Sequence, residues 1–231
     1  MPVALVTGGS LGFGRALATE LAARNWRVVI DGRDPTDLEA TAAALPRGAV
    51  RAIAGDISDP GHRRELMAAA TEEGGLDLLV NNASFLGPSP QPLLASYPLD
   101  VLQRVFEVNV LAPLALIQVA LPVFGDGGVV VNVTSDAAVE AYEGWGGYGS
   151  SKAALEGLTR ILGVEHPALH IYAFDPGDMR TRMHQEAFPG EDISDRPEPG
   201  IVVPSLLRLI DERPPSGRYR ASDLLVSGSA S

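Results

Sequence analysis

A chain of 231 residues with no cysteine must be held together by packing alone, which excludes disulfides and thiolate metal sites and suits a reducing compartment. Its formal net charge of −11 repels nucleic acid and anionic membranes unless a basic patch overrides it, and Arg63-Arg64 and Arg180/Arg182 are too small for that. Apolar content of 45% with 20% charged residues suits one globular α/β domain over 1–231, and a cytoplasmic location is expected because the N-terminus lacks a basic, apolar leader pattern. No apolar run reaches the roughly 18 residues of a membrane span.

Val3 to Thr7 is a short apolar strand opening into Gly8-Gly9-Ser10-Leu11-Gly12-Phe13-Gly14, followed by a helix-periodic segment to Arg24. Strand, glycine turn and helix form the context of a phosphate cradle. Gly8 allows the tight turn, Gly12 lets backbone approach a pyrophosphate, Gly14 lets helix and strand pack closely, and the helix N-terminus offers free N–H groups. The same residues spell Gly8-x-Ser10-x-Gly12, the pattern of a hydrolase nucleophile elbow. That alternative needs a downstream acid and histidine, and neither His62, His166, His170 nor His184 sits in a strong motif. It also lacks an upstream segment to supply an oxyanion-hole loop.

Trp26 to Ile30 reads as the second strand, and Asp34 with Pro35 starts a helix to about Leu45. In dinucleotide folds the end of this strand faces the adenosine ribose: an acid binds the 2′-hydroxyl of NAD, an arginine the 2′-phosphate of NADP. Asp31 and Arg33 are both present, and Arg33 is otherwise a solvated loop charge. Ala49 to Ala54 is the third strand, with Asp59-Pro60 capping a helix to about Glu73. Asp56, at the strand's carboxyl end, is either an acceptor for an adenine amine or a turn aspartate. Leu76 to Val80 is the fourth strand, and Asn81-Asn82 after it either form a turn or fix a loop beside a cofactor.

Phe85 to Pro98 is irregular, and Leu99 to Phe124 carries a helical pattern broken by Pro113. This proline obstructs the carbonyl of residue 109, so a local distortion is expected at Asn109, which either frees a carbonyl for an ordered water or is only a polar residue at a kink. Gly128 to Ser135 reads as a buried strand, thirteen residues before Tyr148. Tyr148 and Lys152 then lie one helical turn apart, a spacing in which the ammonium is expected to lower the tyrosine pKa. The helix ends near Glu165-His166-Pro167, and Pro167 breaks the alignment of His166 with His170, so both read as surface histidines. Leu169 to Phe174 is the sixth strand. Arg182 to Pro199 reads as a long irregular loop, with 182–200 a mobile lid or binding segment, and its acids do not follow calcium-loop spacing. No metal site is expected. Ile201 to Leu209 is a last helix, and Gly217 to Val226 an edge strand before a Ser/Gly/Ala tail.

Taken in order, Thr7-Gly8-x-x-x-Gly12-x-Gly14, Asn81-Asn82-Ala83, Asn109, Ser135, Tyr148-x-x-x-Lys152 and Pro176-Gly177-x-x-x-Thr181 resemble the short-chain dehydrogenase/reductase family over Val3 to Thr181. The resemblance implies a Rossmann-type doubly wound α/β fold with a mostly parallel sheet of about seven strands, and hydride transfer between NAD(P)H and a carbonyl or alcohol. It implies that Tyr148 is the acid/base, Lys152 lowers its pKa and holds the nicotinamide ribose, Ser135 bonds the reacting oxygen and Asn109 anchors a relay water. Cofactor contacts are implied for Gly8, Ser10, Leu11, Gly12 and Gly14, and for Arg33. Others are implied for Asp56 and Ile57, for Asn82 and Ala83, for Tyr148 and Lys152, and for Pro176, Gly177 and Thr181.

Gly32 stands where NAD-preferring members carry their acid and Arg33 where many NADP-preferring members carry a base. NADP(H) is therefore favoured and NAD(H) possible; Leu11, at a second common site for that base, weakens the preference. Two departures stand out: Ser84 replaces the usual glycine after Asn-Asn-Ala, and Ser-Gly-Ser-Ala-Ser replaces the common terminal Asp-Gly-Gly. A homodimer or homotetramer is expected. Phe85, Leu86, Ala137, Val139, Tyr142, Trp145, Met179, Met183 and Phe188 are candidate pocket residues for an apolar or aromatic carbonyl substrate. A catalytically silent dinucleotide-binding regulator is the alternative within the same fold.

Overall fold

The computed structural model describes residues 1–226. Seven strands form one parallel sheet in the order β3-β2-β1-β4-β5-β6-β7. They are β1 (Val3–Val6), β2 (Arg27–Gly32), β3 (Val50–Ala54), β4 (Leu76–Asn81), β5 (Phe124–Val133), β6 (His170–Asp175) and β7 (Gly217–Arg220). Helices cover both faces, so the central strands are near-continuous apolar runs, as in the wholly buried Val-Ala-Leu-Val of β1. Within a strand, successive side chains go to opposite layers. Ala4, Val6, Val28 and Ile30 pack with α1 (Gly12–Ala23) and α8 (Pro199–Glu212). Val3, Leu5 and Val29 pack with α3 (Pro60–Glu72), α5 (Ala112–Ala120) and Leu162 of α6 (Gly146–Glu165).

The order reverses between β1 and β4, and the crevice outside the strands' carboxyl ends at that point is where such sheets bind ligands. A buried polar ladder fixes the neighbouring elements. Asn81 Nδ2 donates to Asn132 Oδ1 at 2.8 Å across the β4–β5 register, and Asn132 Nδ2 donates to Thr159 Oγ1 of α6 at 2.9 Å. That ladder sets the helix of Tyr148 and Lys152 against the sheet.

Strand limits differ from the sequence expectation by a residue or two at several ends, β5 begins at Phe124, four residues before the expected Gly128, and four further segments differ more. The helix expected over Leu99 to Phe124 is α4 (Leu99–Phe106), a π-helical turn (Glu107–Leu111) and α5, with Phe124 already in β5. The turn widens where Pro113 cannot bond the carbonyl of residue 109, so the expected distortion is this turn. The loop expected after Thr181 begins instead with α7 (Arg182–Ala187), because Thr181 caps it, its Oγ1 accepting from the His184 N–H at 3.1 Å. The last long helix runs beyond Ile201 to Leu209, starting on Pro199, a residue suited to a first turn. The edge strand ends at Arg220 and the chain turns into α9 (Ala221–Val226); β7 pairs with β6 from Gly217, opposite Tyr172, as far as Arg220, opposite Asp175. The Ser/Gly/Ala tail at 227–231 lies outside the described residues. Among those residues no helix is long and apolar enough to cross a membrane.

Candidate active site

A cleft of about 730 Å³ runs along the carboxyl ends of the strands. It is lined by Gly8, Ser10, Leu11 and Gly12, by Arg33, by Asp56 and Ile57, by Asn82, Ala83 and Ser84, by Ser135, Tyr148 and Lys152, and by Pro176, Gly177 and Thr181. Gly14 and Asn109 stand behind this lining.

The glycine turn is held from three sides. Gly8 has φ +63° and Gly12 φ +53°, a region that side-chain-bearing residues rarely adopt. A Cβ on Gly14 would lie 2.3 Å from the Gly8 carbonyl oxygen. Asn82 Nδ2 donates to the Thr7 and Gly8 carbonyls at 2.9 and 3.1 Å, and Thr7 Oγ1 accepts from the N–H groups of Asn82 and Ala83 at 3.0 Å each. The tandem asparagines therefore fix loop geometry. Leu11, at the N-cap of α1, supplies no side-chain cap, leaving that helix end's N–H groups facing the cleft.

Asp31, at the edge of the cleft, is held from inside the protein. It is buried, its Oδ1 accepts from the Gly8 N–H at 2.6 Å, and its Oδ2 is 3.1 Å from Nε2 of the buried His62. Both of its carboxylate oxygens are thus engaged within the protein. Ser10 Oγ packs beside Gly32, and His62 turns its Nε2 to Asp31. Arg33 is exposed and has no ion-pair partner among the described residues, so it stands at the cleft as a free guanidinium.

Asn109 is fully buried within the π turn. Its Oδ1 accepts from the Phe85 N–H at 2.8 Å and from Ser84 Oγ at 3.1 Å, and its Nδ2 donates to the Phe85 carbonyl and to Ser151 Oγ. Ser135 Oγ donates to Asp136 Oδ1 at 2.8 Å, and the Ala137 N–H lies 3.2 Å from the same Oγ. Asp136 Oδ2 in turn accepts from Tyr142 at 3.0 Å.

Tyr148 and Lys152 share the helix face that their spacing requires, with Lys152 Nζ 5.4 Å from the phenol ring centroid. Its ammonium donates to the Val133 carbonyl at 2.8 Å. The expected lowering of the tyrosine pKa is not what the environment produces. Burial pushes the Tyr148 phenol well above its ordinary value; a side-chain hydrogen bond with Ser84 opposes this, and the charges of Asp175 and Asp136 add to it.

Burial pulls Lys152 from 10.5 down to about 8. A lowered folded-state pKa means that the unfolded chain holds this proton more tightly, so the burden on folding is full below about pH 8 and gone above about 10.5. The stability of Lys152→Met relative to wild type is therefore expected to be higher at pH 7 than at pH 10 by about 2 kcal/mol, the loss of the bond to the Val133 carbonyl counting equally at both. Urea unfolding at the two pH values checks this.

Of the expected pocket residues, Phe85, Leu86, Trp145, Met179 and Met183 line the cleft. Ala137, Val139, Tyr142 and Phe188 do not. Val139 and Tyr142 are exposed, and Phe188 packs on the indole of Trp145 at 5.7 Å. Trp145 meets Tyr148 edge-on at 5.8 Å.

Spacing did not single out Asp136, Arg104, Arg218 or His62. Arg218 of β7 donates to Glu156 at 2.9 Å and Asp175 at 2.7 Å, while Thr134 donates to the same Glu156 oxygen at 2.8 Å. These carboxylates flank Lys152 and the Pro176-Gly177 turn. Their partners come from strands adjacent only in the folded sheet, so no local signal announces them. Among the described residues no group of three His, Cys, Asp or Glu could hold a metal ion.

A doubly wound parallel sheet with a glycine turn at its switch point defines the nucleotide-binding class of α/β proteins. The model of the short chain dehydrogenase family matches residues 2–192. The short-chain dehydrogenase/reductase FrzI of a Cladobotryum species is 36% identical over 70% of this chain and 63% of its own length, so the match spans less than two thirds of that relative. The 2-(R)-hydroxypropyl-CoM dehydrogenase of Xanthobacter autotrophicus is 34% identical over 79% of this chain and 76% of its own. A Shigella flexneri short chain dehydrogenase solved with NADP superposes with a TM-score of 0.88 at 28% identity, covering 96% of this chain and 97% of that one. The chain belongs to the short-chain dehydrogenase/reductase family of oxidoreductases.

Proposed function

We propose that the protein is an NADP(H)-dependent reductase that interconverts an apolar or aromatic carbonyl compound and its alcohol. The observation that carries this reading is the convergence of the Gly8–Gly14 turn, Ser135, Tyr148 and Lys152 on one cleft, with Asn109 directly behind it. The cradle fits a dinucleotide: a Cβ at Gly14 would fill the turn, the N-terminus of α1 is uncapped, and Arg33 is a cation with no internal partner. When bound, the nicotinamide supplies the hydride.

The chain supplies position and protons. In reduction, the Tyr148 hydroxyl donates its proton to the oxygen that gains charge as the carbonyl carbon is reduced. Burial keeps the phenol protonated, so the proton is in place when reduction begins, and the neighbouring Lys152 charge eases its release. Ser135 turns its hydroxyl from Asp136 to the same oxygen, and Lys152, charged below about pH 8, stabilises the tyrosinate left behind and bonds the nicotinamide ribose. Asn109 holds the loop at Ser84 and Phe85 and anchors the water that returns the proton. Asp56 accepts from the adenine amine, with Ile57 beside the ring. Pro176, Gly177 and Thr181 close on the nicotinamide end, and 182–200 covers the substrate. The wall of Leu86, Trp145 and Met183 suits a flat apolar substrate. Exposed Leu99 on α4 and Ile161 and Val164 on α6 support a homodimer or homotetramer, and a cytoplasmic site of action accords with the absence of cysteine.

Titration with NADPH and NADH, followed by quenching of Trp26 and Trp145, tests the cofactor assignment. Wild type is expected to prefer NADPH, and Arg33→Ala to weaken NADPH by about tenfold to a hundredfold while leaving NADH unchanged. Equal weakening of both would remove Arg33 from 2′-phosphate recognition. NADPH binding with no turnover on any carbonyl compound would favour the silent dinucleotide-binding regulator.

A further inference from the structure

The adenine end of the cleft contains a side chain that neither spacing nor the family resemblance assigns. Arg104 of α4 reaches across to the turn after β3, 48 residues away, and lines the cleft together with Asp56 and Ile57. Its Nη2 pairs with Asp56 Oδ2, and its Nη1 donates to Ser58 Oγ at 2.5 Å and to Glu107 Oε2 at 3.2 Å. The other Asp56 oxygen, Oδ1, accepts from the Ser58 N–H at 2.9 Å and from Ser58 Oγ at 2.7 Å. A carboxylate has about four acceptor positions. Ser58 fills two and Arg104 one, which leaves a single lone pair of Oδ2 for a ligand.

We propose that Arg104 is a positioning residue for adenine recognition: its guanidinium fixes the Asp56 carboxylate so that the remaining lone pair accepts the exocyclic amine of the cofactor's adenine. Without the guanidinium, Asp56 is held only through Oδ1 and swings about that anchor. Burial raises the Asp56 pKa, but the hydrogen bonds from Ser58 and the charge and hydrogen bond of Arg104 outweigh it and hold the carboxyl below its usual range. The same contacts that orient the acceptor therefore keep it an acceptor. Both partners are partly exposed, with side chains 34% and 39% accessible, so the ion pair itself adds little to stability and its value lies in geometry.

The inference rests on the dinucleotide reading of the cleft. Dissociation constants are measured by tryptophan quenching for NADPH and for its hypoxanthine analogue, in which a carbonyl oxygen replaces the amine. Wild type is expected to bind NADPH about tenfold more tightly than the analogue, the effect of one hydrogen bond to a charged acceptor. Arg104→Met should lose most of that preference, and Arg104→Lys, which keeps one charged donor, should restore part of it. If Arg104→Met weakens both ligands equally and leaves their ratio intact, or if wild type shows no preference, the inference is overturned. Failure of wild type to bind NADPH at all would overturn the dinucleotide reading and this inference with it, and it is recognised before any variant is made.

Discussion

Tyr148→Phe, which removes a single oxygen, is expected to lower NADPH-dependent carbonyl turnover by about 10²- to 10⁴-fold while still binding NADPH and keeping its thermal stability. The neighbouring polar groups explain why nothing substitutes for it. Ser135 Oγ is bonded to Asp136 and is a far weaker acid than a phenol, Lys152 is held on the Val133 carbonyl, and Asn109 carries no titratable proton. Stability should hold because the one side chain bonded to the phenol, Ser84, keeps Asn109 as its partner. NADPH absorbance loss over a panel of aromatic ketones and aldehydes gives the rate, and the melting temperature gives the control. A variant that reduces the same compounds at the wild-type rate would take Tyr148 out of the chemistry.

Gly14→Ala is expected to be a severely damaging single methyl group, because the nearest atoms it meets are backbone and a pinned amide. Its Cβ would stand 2.3 Å from the Gly8 carbonyl oxygen and 2.5 Å from Asn82 Nδ2. Both are fixed, because Asn82 Nδ2 already bridges the Thr7 and Gly8 carbonyls, and the Gly8 N–H is anchored on Asp31. Relief requires α1 to move away from β1 or the turn to open. Either change costs about 3 kcal/mol, at the upper end of overpacking in a well-filled core. Because the same backbone forms the phosphate cradle, NADPH binding should fall beyond the titratable range. Gly200→Ala, where a Cβ meets nothing within 4 Å, is the matched control and should leave both the melting temperature and binding intact. Wild-type NADPH affinity in Gly14→Ala would mean that the turn does not hold the pyrophosphate.

The parts of the site that depend on one local stretch of chain were legible in the sequence. The glycine turn is such a part, since its spacing alone sets which residues must lack a Cβ. So is the Tyr148–Lys152 pair, placed by helical period, and the π turn, announced by Pro113 four residues after Asn109. What could not be read is what depends on contacts between distant segments. The Asp31 carboxylate turns inward because His62, on a helix after the next strand, sits beneath it. Tyr148 is raised and not lowered because the walls around it exclude water, a property no i, i+4 spacing encodes. Arg218 is tied to Glu156 and Asp175 only once β7 has paired with β6. α7 was hidden by its shortness, six residues whose main signal is the capping threonine.

The most direct test of the central claim is a titration of the wild-type protein with NADPH, following the fluorescence of its two tryptophans, Trp26 and Trp145. Trp145 lines the cleft, so saturable quenching at micromolar NADPH, competed by NADP⁺ and lost in Gly14→Ala, is the predicted result. No saturable change up to millimolar NADPH, in a protein that unfolds cooperatively, would contradict the account.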